Sequence, residues 1–157
     1  MKEINTNINL IENNRIIKVP IIISLYKIDK DNTNVEIVVT YNKEKYIGKG
    51  RNYLWEDAFA NLQNKLPQNV KIACCMTCIY GNMCPYGNSP RELYCTKHTK
   101  IKAKEELCNL FDKTNLYENN KVLYESYCKD YVHQSDEYYT YNDYLSELKK
   151  QRTDLNE

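Results

Sequence analysis

The chain has two histidines, and none before His98. That scarcity excludes an H-E-x-x-H zinc helix, and it leaves no His-x-Glu ahead of a cysteine pair, as the zinc deaminases require. It also leaves few bases to activate a nucleophilic cysteine. No P-loop and no Rossmann glycine pattern are present, and the carboxylates fall without a pair suited to acid–base work. The sequence therefore offers an enzyme no residues to stand on. Net charge is nearly absent too: 22 basic side chains against 21 acidic leave +1, which gives no global pull toward nucleic acid or anionic lipid. Long apolar runs are missing. The most apolar stretch, Val19 to Tyr26, is far too short to span a bilayer, so no membrane partner is expected. Phenylalanine (2) and tryptophan (1) are rare against 15 tyrosines, so tyrosine must supply much of the aromatic packing.

Cysteine is what the chain does have, seven in all. Met1 to Asn14 carries acids and no apolar run, so no targeting segment is visible. The expectation is a reducing cytoplasm, where clustered cysteines are more often metal ligands than disulfides. The odd total also argues against complete disulfide pairing.

Periodicity organises the first half. Ile4, Thr6, Ile8 and Leu10 alternate onto one face, which predicts an edge strand, and Asn13-Asn14 predicts a turn. Residues 16 to 27 read as a second strand, bulged or at an edge where Pro20 removes a donor. Asp29 to Asn34 connects it to a third, residues 35 to 41, with Val35, Ile37, Val39 and Tyr41 inward. After Asn42-Lys43-Glu44 the meander continues through Lys45 to Gly48. Asn52 is placed to cap a helix in which Leu54, Ala58, Leu62 and Leu66 share a stripe that ends at Pro67. Residues 69 to 73 read as a short strand. Beyond Cys108 the chain is expected to be helical, with Val122, Leu123, Tyr127 and Tyr131 on one stripe. After a break at His133-Gln134-Ser135, Tyr138, Tyr141, Leu145 and Leu148 form another, capped by Ser135 or Asp136. The fold class is therefore α+β: an N-terminal antiparallel β-meander with one packed helix, a cysteine-rich metal-binding insert, and C-terminal helices. The expected segments are 1–72, 73–112 and 113–157, forming one compact unit.

Gly48 and Gly50, followed by a helix with Ala58 and Ala60, resemble part of a double-stranded-RNA-binding domain. That family grips phosphate with a lysine pair at the helix start, where this chain has Tyr53 and Leu54, and its first helix is missing here. The resemblance therefore implies how the helix packs on the strands rather than contact with RNA.

The stretch from Cys74 to Cys108 holds six of the seven cysteines. Cys75 and Cys78 form a C-x-x-C pair, whose turn holds two thiolates about one ion and aims backbone N–H groups at the sulfurs. Two more ligands close a tetrahedral zinc site. The preferred set is Cys75, Cys78, Cys95 and Cys108. The interval between the second and third is filled with turn chemistry: Gly81-Asn82, Pro85, Gly87-Asn88 and Ser89-Pro90. Such a loop carries little core of its own, so an ion would have to fix it. Cys84, His98 (in Cys95-x-x-His98) and Cys74 are alternative ligands, with Cys74 read mainly as a flanking residue. Cys128 is read as a small residue on a helix stripe, and His133 as exposed.

Cys75-Met76-Thr77-Cys78-Ile79-Tyr80, Pro85-Tyr86-Gly87-Asn88, Cys95 and Cys108-Asn109-Leu110-Phe111 resemble a pattern carried by small uncharacterised bacterial cysteine-motif domains. The resemblance implies a zinc-binding module and no activity. The cysteines are also similar to those of the small iron–sulfur subunits of some glycyl-radical enzymes. That implies a [4Fe–4S] cluster on Cys75, Cys78, Cys84 and Cys108, in a protein with a redox or electron-transfer role.

Three functions remain open: a non-catalytic structural-zinc module of unknown partner, an iron–sulfur protein, and a single-stranded nucleic-acid binder. The last rests on a local basic cluster, Arg91, Lys97, Lys100 and Lys102, interleaved with tyrosines. A protein partner would find its contact surface on Tyr138, Tyr139, Tyr141 and Tyr144. The sequence does not determine oligomeric state.

Overall fold

A computed structural model of the chain describes residues 1–87 and 91–157. Asn88, Ser89 and Pro90, which the sequence assigns to turns of the cysteine stretch, lie outside the described residues. The chain divides into two compact units, Met1–Ile72 with Asp143–Glu157, and Ala73–Asn142.

The first unit is an α+β structure. Strands β1 (Lys2–Glu12), β2 (Arg15–Lys27), β3 (Thr33–Tyr41) and β4 (Glu44–Gly50) form an antiparallel meander. A fifth strand, β5 (Val70–Ala73), completes the order β4-β3-β2-β1-β5. β1 is therefore second from the end and not the edge strand its weak alternation predicts, because β5 returns from far along the chain to flank it. Two hairpins turn on Asn13-Asn14 and Asn42-Lys43, all four with φ between 50 and 66°. That pair of left-handed residues is what two-residue hairpin turns need to match strand twist. The Asp29 carboxylate accepts from the backbone N–H groups of Asp31 and Asn32 and closes the longer connection.

Pro20 pairs with Asn7 in an unbroken β1–β2 register. The β2–β3 register begins only at Ile21 opposite Val39. Pro20 thus stands where β2 has a single neighbour, and its missing N–H costs no ladder bond.

Period-2 alternation puts Ile8, Leu10, Val19, Ile21, Ile23, Val35, Ile37 and Val39 into the core. Helix α1 (Trp55–Lys65) covers that face with Ala58, Phe59 and Leu62 fully buried. Gly48 and Gly50 make the seat for α1: a Cβ on Gly48 would lie 2.2 Å from the Ala58 carbonyl oxygen, and one on Gly50 2.1 Å from that of Leu54. Asn52 does not cap the helix. Asn52 and Tyr53 both take left-handed φ values and turn the chain into α1, whose N-cap position is Leu54. At the other end Leu66 is extended, as the residue before a proline must be, and the helix stops. The last helix, α4 (Tyr144–Leu155), packs beside α1 with Tyr144 and Leu148 buried.

In the second unit, strands β6 (Gly81–Asn82), β7 (Glu92–Cys95) and β8 (Lys121–Leu123) form a small sheet in the order β6-β7-β8. Helices α2 (Lys104–Lys113) and α3 (Leu116–Asn119) connect β7 to β8. The stripe Val122-Leu123-Tyr127-Tyr131 is not a helix. Val122 pairs with Leu93 in β8, and the chain from Tyr124 to Asn142 has no helix, so neither Ser135 nor Asp136 is a cap. Tyr94, Ile101, Leu107, Phe111 and Leu116 form a buried apolar cluster with Cys84. Tyr94, Phe111 and Tyr117 meet edge to face with centroids 4.7 to 5.4 Å apart, the arrangement that aromatic quadrupoles favour. No helix of the described residues is long and apolar enough to cross a membrane.

Candidate functional site

The C-x-x-C segment forms a 3-10 turn over Cys75–Thr77, closed by the Cys78 N–H donating to the Cys75 carbonyl at 3.3 Å. Cys74 precedes it in extended conformation. The Thr77 hydroxyl bridges this entry, accepting from the Cys74 N–H and sitting 3.2 Å from the Cys74 carbonyl. It also lies 2.9 Å from the Tyr131 hydroxyl, which contacts His133 Nδ1 at 2.7 Å. The turn is held from outside as well. The Cys75 and Met76 N–H groups donate to the carbonyls of Ser126 and Tyr124, and Gln134 Nε2 donates to the Met76 carbonyl.

Cys75, Cys78, Cys95 and Cys128 line one cavity of about 20 Å³, walled otherwise by Tyr80, Gly81, Val122, Tyr127 and Tyr131. Three separate segments deliver these thiols: the 3-10 turn, the end of β7, and the loop after β8. Burial pushes the Cys75 thiol far above its ordinary range, and the neighbouring Cys74, Cys78, Cys95 and Cys128 push in the same direction. Burial also raises Cys78, but backbone N–H groups of Val132 and Tyr80 act against it. Donors aimed at the sulfur favour a thiolate. With no cation present such thiols stay protonated, so they are poor nucleophiles. A bound divalent ion inverts that balance and deprotonates them. Lys97 adds positive charge beside the cluster. Its pKa is raised first by Asp130, with which it pairs at 3.0 Å, and further by Cys128 and Cys95. Among the described residues no three His, Cys, Asp or Glu side chains are drawn into a ligand set.

The sequence-derived residues separate into two groups. Cys75, Cys78 and Cys95 come together. Cys108, expected as the fourth ligand, stands on α2, where its sulfur neighbours the Tyr86 hydroxyl. Cys128, read from the sequence as a helix-stripe residue, takes the fourth place on the cavity wall. The reason is that the chain after β8 loops instead of continuing as a helix. Cys84 is buried in the apolar cluster, with its sulfur 3.1 Å from the Tyr117 hydroxyl. Cys84 and Cys108 thus do not join Cys75 and Cys78 on the cavity. Cys74 is fully buried at the turn entry, and burial pushes its thiol up to about 12. His98 is exposed and off the cavity. His133 is half-buried and bonded rather than exposed. The one signal for Cys128 was its composition, a seventh cysteine left over; its spacing from the others carried none.

The basic residues also diverge. Arg91 pairs with Glu125, a carboxylate only 5 % exposed. The Lys102 N–H donates to Glu106. Lys97 and Lys100 line a second cavity of about 220 Å³. Of the tyrosines expected to face a partner, Tyr144 is buried at the start of α4, and Tyr139 and Tyr141 pack against the apolar cluster.

No protein-family model matches the chain, and no curated protein matches it in sequence.

Proposed function

We propose that the chain is a non-catalytic interaction module whose Ala73–Asn142 unit is fastened by a structural zinc ion on Cys75, Cys78, Cys95 and Cys128. The observation that carries this reading is the convergence of four thiols from three segments on one small cavity. All seven cysteines are free, which suits a reducing compartment such as the cytoplasm. N–H groups aimed at the Cys78 sulfur and Lys97 beside the cluster offset the negative charge of a four-thiolate site. A cysteine side chain has one rotor before its sulfur, so small χ1 adjustments re-aim it. A cavity of about 20 Å³ has room for one ion rather than a four-iron cluster, which favours zinc over [4Fe–4S].

Elemental analysis and an absorbance scan of anaerobically purified protein test the proposal. One zinc per chain, lost in Cys128→Ser and kept in Cys108→Ser, is the expected result. A brown protein with iron and sulfide replaces zinc by a cluster. Retention of full metal by Cys128→Ser removes the ligand set.

A further inference from the structure

The second unit carries a cavity that the zinc reading does not use. It measures about 220 Å³, and its walls include Tyr80, Thr96, Lys97, Lys100, Tyr138 and Tyr139. We propose that this cavity binds one nucleotide, free or within a single strand, with the base against the tyrosines and the phosphate on Lys100 and Lys97.

The cavity is a built one. Tyr80 and Thr96 are joined by the Thr96 N–H donating to the Tyr80 carbonyl at 3.0 Å, and the Thr99 N–H donates to the Thr96 carbonyl at 3.0 Å. Tyr80 lies two residues after Cys78, and Thr96 directly follows Cys95. Two successive tyrosines, Tyr138 and Tyr139, also line it. Tyr138 is 46 % exposed, while Tyr139 is half-buried against the apolar cluster.

Charge and aromatic surface sit together here. Lys100 Nζ lies 5.7 Å from the Tyr138 ring centroid, and among the described residues it has no carboxylate partner. A cation held by a ring face alone is a weakly anchored charge, so an incoming phosphate can draw it off and leave the face of Tyr138 open for a base. Lys97 is shared with Asp130 at 3.0 Å and contributes less. A volume below that of drug-sized pockets fits one planar ring with its phosphate. Tyrosine faces accept any base, so the site stacks without reading sequence. Two lysine contacts on a single strand give a shallow salt dependence, a log K against log salt slope of about −1.4.

The full chain is titrated with AMP and UMP by calorimetry, and with fluorescein-labelled A and U octanucleotide RNAs by anisotropy, at low and raised salt. The expected result is saturation at one site per chain by at least one probe, with the shallow salt slope for the octanucleotides. Lys100→Glu and Tyr138→Ala should each weaken binding by about tenfold, with melting temperatures unchanged. Tyr53→Ala, an exposed tyrosine of the first unit, should bind as the unmodified chain does. Mononucleotides binding as tightly as octanucleotides assign the site to free nucleotide; octanucleotides binding alone assign it to a strand. Failure of every probe to saturate below about 1 mM at low salt, where phosphate contacts are strongest, overturns the proposal. So does wild-type affinity in both cavity variants.

Discussion

Gly81 lies directly against the Cys75 carbonyl: a Cβ built on it would stand 1.9 Å from that oxygen and 3.3 Å from Leu93 Cδ1. The Gly81 N–H meanwhile donates to the Cys78 carbonyl at 3.1 Å. Glycine is needed here for close approach of backbone to backbone. Gly81→Ala must push β6 off the C-x-x-C turn, and we expect a cost of about 1–3 kcal/mol, the usual size of overpacking. Thermal melts should show the loss, and limited proteolysis should locate it in Ala73–Asn142. An unchanged melting temperature would mean that the turn shifts freely.

Arg91 and Glu125 form an ion pair whose carboxylate is buried. Removing one partner of such a pair strands the other. Arg91→Met should therefore destabilise by about 3 kcal/mol. Glu125→Gln in the same chain should recover much of that loss, because the stranded charge is gone. Denaturant melts of the two single variants and the double variant measure the coupling. Additive effects would show that the two side chains do not depend on each other.

Glu56 sits in the first turn of α1, where the helix N-terminus favours a carboxylate. Burial nevertheless raises its pKa, and the charges of Asp143 and Asp57 add to the rise. A carboxyl with a raised folded pKa holds its proton more tightly in the native state. Stability accordingly falls as pH climbs from the ordinary glutamate range through the raised value, and the deficit is complete above it. Glu56→Gln should raise the melting temperature at pH 7.5 and leave it nearly unchanged below about pH 4, where the native carboxyl is already protonated. An equal gain at both pH values would point to packing instead of ionisation.

The two units should respond differently to a chelator. The first unit has an uninterrupted apolar face under α1 and keeps its strands without any ion. In the second, the C-x-x-C turn and the loop holding Cys128 meet at the thiol cavity, and the proposed metal there would couple its binding to their folding. Chelation should open protease sites within Ala73–Asn142 while Met1–Ile72 survives as a fragment. Cys75→Ser and Cys128→Ser should reproduce that pattern, and Cys108→Ser should not. Collapse of the whole chain on chelation would tie the ion to the main core.

The meander and α1 were legible in the sequence because each rests on a local rule. Val35, Ile37, Val39 and Tyr41 alternate, Asn13-Asn14 suits a left-handed turn, and Ala58 and Leu62 repeat at helical spacing before Pro67. The C-x-x-C pair was legible for the same reason, since its two thiols are brought together by one turn. Nothing local distinguishes Cys128 from Cys108 as the fourth thiol of the cavity. That choice follows from β8 pairing Val122 with Leu93, a long-range contact that ends the helical reading of Val122-Tyr127-Tyr131 and swings Cys128 toward Cys75. The same holds for β1, which loses its edge only when β5 arrives. Residue spacing thus determined the meander strands, their hairpin turns, the first helix and half of the thiol cluster. Tertiary pairing decided the other half, because it joins segments whose separation along the chain carries no periodic signal.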